Sequence, residues 1–456
     1  MLVIISDLHL TDGTTGRTVS DDAFRDFALR LRAMALDASV RSNGRYDPIS
    51  HCDIILLGDI LDQVRSTKWN REVKGDPGYA RPWLDPTSEA VINKVTVVTK
   101  AILSHNTQSL KILRGLAKIG IHIPPSASGQ PDYAARENAV VEVRIHYMVG
   151  NHDWFLHVNH PDYETLRQEI VREMGLANPP GIFPHELAEY PQLQEICRQH
   201  RVYTRHGDIY DAFNYNPETK RDSGTLGDAI VVELLNRFPV AVWRRLGDII
   251  PITFLQGLNE LANVRPSLIV PVWVDGLIRQ HNLSADMTKK LKLIWDDLAD
   301  EMLALPFVRD QDSWLPFDKV DFLQLTLHFA SGINFATAAE AALFIQDRIW
   351  GGASSFAQRA LEEEAFLNKQ AQYVIYGHTH HPEVIPLNTE MQGDTRFDQL
   401  YFNSGTWHPF HSMTIHNPTD ARFIHYQAMT YVSFFRYDER GGRPFETWSG
   451  TLGVRN

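Results

Sequence analysis

Leu2-Val3-Ile4-Ile5 runs directly into Ser6-Asp7-Leu8-His9. The four apolar residues are continuous and largely β-branched, the pattern of a short buried strand. The polar residues follow at once, where the strand must give way to a turn. The same arrangement recurs along the chain. Ile54–Leu57 ends in Gly58-Asp59, and Val143–Val149 ends in Gly150-Asn151-His152-Asp153. Arg201–Thr204 ends in Arg205-His206-Gly207-Asp208, and Tyr373–Tyr376 ends in Gly377-His378-Thr379-His380. Open α/β sheets place ligands just beyond their strand ends, so these clusters mark a site.

Helical patterns lie between the strands. Ser20 caps a predicted helix with Asp21 and Asp22 in its first turn and Phe24, Phe27, Ala28 and Leu31 on one face. Further helices are expected from Ser88 to Leu116, and from Tyr163 to Met174 with a stop at Gly175. The texture changes after Asp208. Ile230, Val231, Leu234, Leu235 and Phe238 form an amphipathic stripe. Residues 284–305 read as a helix ended by Pro306, and 336–350 as an Ala-rich helix. A mainly helical insertion is therefore expected over about 216–365. Trp243, Phe254, Leu255, Trp273, Leu277 and Ile278 are expected to form its own core, the alternative being an apolar cap over the site. A smaller insertion, about 65–140, carries Gly/Pro-rich loops at 75–86 and 124–131.

Composition narrows the function. The 456 residues carry 44 Lys+Arg and 56 Asp+Glu, a net charge of −12. That balance argues against coating nucleic acid or an anionic membrane through bulk charge. Two cysteines, Cys52 and Cys197, give neither a disulfide framework nor a thiolate metal site. They read as small buried hydrophobes, and they fit a reducing, cytoplasmic location. No signal peptide is apparent, and no uncharged apolar run reaches the ~20 residues that span a bilayer.

The strand-end clusters together offer Asp7, His9, Asp59, Asn151, His206, His378 and His380. Oxygen and imidazole donors without thiolate suit Mn, Fe, Zn or related divalent ions. Seven ligands exceed the need of one tetrahedral ion and match two ions that share a carboxylate. Such pairs activate water and clamp phosphoryl oxygens. Each cluster alone also reads as ordinary turn chemistry. All five in order, each after a strand, do not.

These motifs resemble those of the calcineurin-like metallophosphoesterases. The likeness lies in Asp7-x-His9, Gly58-Asp59-x-x-Asp62, Gly150-Asn151-His152-Asp153, His206 in His-Gly-Asp, and Gly377-His378-x-His380. Asn403-Ser404-Gly405-Thr406 resembles the turn that often follows the last motif. The likeness covers roughly 1–215 and 370–410. It implies an α/β fold, a four-layer α-β-β-α sandwich of two mixed sheets. The core would be split into 1–215 and 366–456 by the helical insertion. It further implies that Asp7, His9, Asp59 and His380 hold one ion, and that Asp59, Asn151, His206 and His378 hold the other. Mn is the expected metal, with Fe, Zn or Mg as alternatives. A hydroxide between the ions would attack phosphorus, His152 would protonate the leaving oxygen, and Asp62 would orient His152. Asp153 would support the ligands, and Arg205 would contact phosphate or cover a rim. Arg65, His381, His408 and His411 are further candidates for substrate contact.

Departures from the pattern narrow the branch. Asp62-Gln63-Val64 lacks the Asp-Arg-Gly of the Ser/Thr protein phosphatases, and Asn-His-Asp replaces their Asn-His-Glu. Asp62 stands where purple acid phosphatases carry a metal-binding Tyr. The start, Ser6-Asp7-Leu8-His9-Leu10, and His206-Gly207-Asp208 are similar to bacterial UDP-diacylglucosamine pyrophosphatases. Members of that branch often carry Arg at the place of His152. The nuclease branch shares the ligands, but no basic stripe for DNA is present. The expected activity is hydrolysis of a phosphomonoester, phosphodiester or pyrophosphate in a phosphorylated small molecule or lipid. The alternative is a non-catalytic metal-binding scaffold that uses the insertion as a partner surface.

Overall fold

Each apolar run quoted above becomes a strand. The computed structural model describes residues 1–265, 269–311, 354–414 and 422–453. Eight strands form the larger sheet: β1 (Leu2–Ile5), β2 (His51–Leu57), β3 (Ile121–Ile123), β6 (Ala139–Met148), β8 (Val264–Arg265), β12 (Phe410–Met413), β13 (Phe423–Phe434) and β14 (Phe445–Gly453). Four form the smaller: β7 (Val202–Thr204), β9 (Tyr373–Tyr376), β10 (Glu383–Gln392) and β11 (Thr395–Asn403). β4 (Ser126–Ala127) and β5 (Gln130–Pro131) make a separate hairpin.

Both sheets are mixed. β1, β2 and β6 run parallel, while β13 pairs antiparallel to β1. In the smaller sheet β7, β9 and β11 are parallel and β10 is antiparallel to β11. Parallel pairing is what brings the polar ends of β1, β2 and β6 to one edge, and those of β7, β9 and β11 to another.

Alternation along the strands divides the core. Val3, Ile5, Ile54, Leu56, Val143 and Ile145 face one way, into a cluster with Phe24, Phe27, Val95 and Leu166 from helices. Those helices are α1 (Asp21–Ala38), α2 (Glu89–His105), α3 (Thr107–Ile119) and α4 (Pro161–Met174). Leu2, Ile4, Ile55, Leu57 and Met148 face the other way and share a cluster with Val202, Tyr373, Ile375 and Phe402 of the smaller sheet. The far face of that sheet packs Val374, Tyr376 and Tyr401 against Phe356, Ala357 and Ala360. At ~1.5–3 kcal/mol per fully buried aliphatic side chain, these contacts dominate the stability of the strands.

Helix ends mostly follow the caps. α1 starts after Ser20, whose backbone is extended but whose side chain makes no capping hydrogen bond, and α4 ends at Gly175 with φ +73°. The expected single helix over Ser88–Leu116 is two, broken at Asn106. The Asn106 side chain turns back to donate to Ile102 O and Thr11 O, both at 2.8 Å, and so competes with helix continuation. Pro306 ends one helix, as read, and also begins the short turn Pro306–Arg309. The helix expected over 336–350 lies outside the described residues.

Residues 226–263 and 270–309 are largely helical and hold their own apolar cluster, which includes Phe254, Leu255, Trp273, Leu277 and Ile278. Trp243 departs from the expectation. It sits on the outer face of a helix and is 63% exposed. The stretch is also tied to the larger sheet, because β8 pairs with His411 and Ser412 of β12. The helices of 65–140 likewise share the core of β1 and β2 rather than forming a core apart. No helix of the described residues is long and apolar enough to cross a membrane.

One ion-pair cluster fastens residue 222 to the core. His157 Nδ1 donates to Asp222 Oδ1 at 2.6 Å, and Nε2 donates to Glu189 Oε1 at 3.1 Å. Burial lowers the His157 pKa, but the two carboxylates outweigh it and raise the value to about 9. A raised histidine stabilises the fold fully below its unfolded value and loses that contribution as pH rises through the folded value. Stability should therefore fall between about pH 6.5 and 9, by on the order of 1–2 kcal/mol once the exposure of Asp222 is discounted. Denaturant midpoints at pH 6.5 and 9.5 should differ in the native chain, and the difference should shrink in His157→Gln.

Candidate metal centre

The loops after β1 and β2 run side by side. Asp7 N donates to Gly58 O (3.1 Å) and His9 N to Asp59 O (2.9 Å). That pairing places Asp7, His9 and Asp59 at one point. Five cluster residues adopt left-handed backbone: Asp7 (φ 52°), His9 (44°), Asp59 (55°), His378 (67°) and His380 (64°). They are five of the twelve such non-glycine residues among the described ones. Each costs on the order of 1 kcal/mol, so the strain is concentrated where side chains must be turned together.

Glycines make the room. A Cβ on Gly150 would strike the Asp59 carboxylate and the His206 ring, and one on Gly377 would lie 2.6 Å from Asp7 Oδ2. The Gly-x-His and Gly-Asn-His pattern is thus a demand of space as well as of turn geometry.

The donors converge in two groups, joined by a third in which His9, Asp59 and His152 meet. Asp7, His9 and His380 each bring one ligand atom within 4.8 Å of the others, and so do Asp59, His206 and His378. His9 Nε2 lies 3.0 Å from His380 Nε2, 3.6 Å from Asp59 Oδ2 and 3.8 Å from Asp7 Oδ1. His206 Nε2 lies 3.3 Å from Asp59 Oδ2. Asn151 Oδ1 lies 3.0 Å from His378 Nδ1. Donors held ~2.1 Å from one ion sit roughly 3.0–3.4 Å apart, so these separations suit coordination.

Hydrogen bonding on the far side of each ring tests the fit further. A ligating imidazole commonly gives its other N–H to an acceptor. His9 Nδ1 donates to Asp62 Oδ2 (2.8 Å), His206 Nδ1 to Leu57 O (2.9 Å) and His378 Nε2 to Asp211 Oδ2 (3.0 Å). In all three a neutral ring with this outward bond presents its lone pair inward. Asp7 Oδ1 and His206 Nε2 are buried and have no hydrogen-bond partner among the described residues. The donor set fits divalent cations.

Electrostatics carries the same message. Burial raises the Asp7 pKa, and the carboxylate of Asp59 adds to the rise. For Asp59 burial is outweighed by His206, His152 and His9, which hold its carboxyl well below the usual range. Burial disfavours a charged His206, yet Asp59 and Asp7 raise its pKa to about 10. The carboxylates thus take their countercharge from imidazolium, a role that a bound cation would fill instead.

His152 stands beside the donors. Its backbone N–H donates to Asp59 Oδ1 and its Nδ1 to Asp62 Oδ1, both at 2.8 Å. Burial lowers its pKa, but Asp62 and Asp59 outweigh this and raise it to about 9. Asp62 therefore holds two rings, one by each oxygen. Asp153 braces the loop: it accepts from Gly150 N (2.6 Å), Ile60 N (2.8 Å) and Tyr147 OH (2.6 Å). Arg205 is not brought to the cluster. Its guanidinium pairs with Glu186 (3.2 Å) and Glu363 (3.1 Å) beneath the smaller sheet's loops.

Of the other candidates, Arg65 is buried and lies 3.8 Å from Asp62 and 3.1 Å from His408 Nε2. His408 is also buried, with its ring 5.6 Å from that of His9. Both back the site rather than face its opening. His381 is exposed, and His411 belongs to a separate group with Glu260. Four contributors were not read from the sequence. Asp211 orients His378, and Asn214 Oδ1 accepts from Asn151 Nδ2 at 3.3 Å. Asn263 and Arg265 come from the helical stretch. Asn263 Oδ1 meets Arg65 and His408, and Arg265 Nε donates to His380 Nδ1 at 3.1 Å. Asp211, three residues past Asp208, carried a signal by proximity to His206. Arg265 carried none, lying 115 residues before its partner.

No protein-family model matches the chain, and no curated protein matches it.

Metal binding should stabilise the fold, because the unfolded chain has no assembled donor set. At 100 times the dissociation constant the gain is about 2.7 kcal/mol. Thermal unfolding of chelator-stripped protein should shift upward with Mn²⁺. Gly150→Ala should abolish that shift by displacing Asp59 and His206. An unchanged shift in the variant would mean that Asp59 is not a ligand.

Proposed function

We propose that the chain is a dinuclear metal-dependent phosphoesterase of the calcineurin-like type. Its core would be the four-layer α-β-β-α sandwich, interrupted by the helical stretch of about 216–365. The observation that carries the reading is the position of Asp59, with Oδ2 3.6 Å from His9 and 3.3 Å from His206. One carboxylate between two donor groups is the arrangement a bridging ligand requires. Helices on the outer faces of both sheets support the layering. Two free, buried cysteines fit a reducing compartment, and the cytoplasm is the proposed location.

Asp7, His9, Asp59 and His380 would hold one divalent ion, and Asp59, Asn151, His206 and His378 the other, with Mn the first choice. Such ions supply Lewis-acid stabilisation of a phosphoryl group and a nucleophile at neutral pH. The remaining work falls to side chains. His152 carries the proton for the leaving oxygen on Nε2, because Nδ1 is fixed on Asp62. Its metal-free pKa of about 9 would be lowered by neighbouring cations toward the range in which a general acid is effective. Asp62 keeps His152 and His9 in fixed relative orientation, ring centroids 4.8 Å apart.

Arg265 would bind substrate. With His380 ligating through Nε2, its Nδ1 carries a proton and no longer accepts from Arg265. Nη1 remains on the Ala262 and Val264 carbonyls, and the freed Nε would offer a charge-assisted hydrogen bond to a phosphate oxygen.

The decisive measurement is a screen of Mn²⁺-loaded protein against phosphomonoesters, phosphodiesters and pyrophosphates, including p-nitrophenyl phosphate, its bis ester and UDP-sugars. Activity should vanish in EDTA and return with Mn²⁺. Two ions per chain with no hydrolysis of any class would favour the scaffold reading. His152→Ala should lower kcat by about 10²–10⁴ while metal content stays near that of the native chain. Arg265→Ala should raise KM more than it lowers kcat, by about tenfold for loss of one charge-assisted pair.

A further inference from the structure

A second cluster of metal-ligating side chains lies where the helical stretch meets the larger sheet. His411 on β12 and His425 on β13 stand directly opposite each other in the antiparallel ladder. Directly opposed residues project from the same face. Their rings stack, with centroids 4.3 Å apart and 20° between planes. Trp273 packs on His411, centroids 4.3 Å apart, and restricts its rotation. Glu260 follows the helix Ile252–Asn259 and brings Oε2 to 3.6 Å from His411 Nε2.

That distance is too long for an N–H···O hydrogen bond. It is close to the separation of two donors on one cation. Nε2 of His411 and Nε2 of His425 are both buried and have no hydrogen-bond partner among the described residues. His411 is only 7% exposed, so its nitrogen is not satisfied by bulk solvent. One ligand atom from each of the three side chains lies within 4.8 Å of the others. The two Glu260 oxygens are turned to different neighbours. Oε1 faces Arg17 at 3.8 Å, while Oε2 faces His411 and accepts from Asn263 Nδ2 at 2.8 Å. All three side chains border a cavity of about 1320 Å³, also lined by Gly13, Arg17, Gln256 and Trp273.

We propose that Glu260, His411 and His425 form a separate, mononuclear metal site for a borderline divalent cation such as Zn²⁺. Two imidazoles and one carboxylate are a ligand set that zinc accepts, and three protein ligands leave a fourth position open toward the cavity. The site is separate from the strand-end donors and shares no ligand with them. It does not depend on the phosphoesterase reading. Asn263 links the two regions, since it donates to Glu260 and meets His408 and Arg65 through Oδ1.

The test compares zinc stoichiometry in full-length protein and variants. Chelator-stripped chain is titrated with Zn²⁺ against a chromophoric competitor, with elemental analysis after gel filtration. His411→Ala/His425→Ala should bind one equivalent fewer than the native chain. The comparison is a difference, so it holds whatever number of ions the strand-end donors take. Equal stoichiometry in the two proteins would overturn the proposal. Glu260→Gln preserves side-chain shape and guards against a folding defect in the double variant. It should weaken that equivalent by at least about tenfold. Unchanged affinity in Glu260→Gln would equally overturn it.

Discussion

The Asp59 carboxylate is the point on which the other features converge. It is buried at the end of a parallel strand, with three imidazoles around it and the His152 amide on its second oxygen. An isolated buried carboxylate would cost many kcal/mol and would protonate instead. Asp59 stays ionised because His206, His152 and His9 surround it. Remove it and the imidazoles lose the charge that keeps them there. The positions of the loops that carry His9, His152 and His206 are coupled to this one group.

The fold pays for that convergence in backbone strain and in small residues. Parallel strands of β1, β2 and β6 end together, but their side chains would diverge in ordinary extended backbone. Left-handed φ at Asp7, His9, Asp59, His378 and His380 turns them inward. Apolar burial beneath the loops makes this tolerable. Leu8 and Leu10 are fully buried on either side of His9, so the loop cannot relax without exposing them.

Much of this was legible in the sequence, for a physical reason. A strand buried on both faces is a run of apolar residues, and a turn loaded with donors is a run of polar ones. The boundary is sharp at Ile5/Ser6 and at Tyr376/Gly377, and the observed strands end there. The motif residues accordingly lie together, except Arg205. Its neighbour His206 faces inward, and adjacent residues at a strand end point opposite ways. That alternation sends Arg205 to Glu186 and Glu363. The break at Asn106 was hidden because helical periodicity continues across it, while a side chain's competition for backbone acceptors leaves no periodic trace. Trp243 was misread because composition identifies an apolar residue but not the helix face that carries it.

The helical stretch was the least legible part, and its contacts change what it is. Val264 and Arg265 extend the larger sheet beside β12, which locks Asn263 and Arg265 against the donors. Asn263 meets Arg65 and His408, and Arg65 in turn lies against Asp62. A chain of buried polar groups thus runs from this stretch to the carboxylate that orients His152. Breaking a buried charged pair typically costs about 3–5 kcal/mol. The described part around Asn263 therefore cannot leave the sheet without unpairing Arg65. The segment through Asn263 and Arg265 acts as a fixed wall of the site.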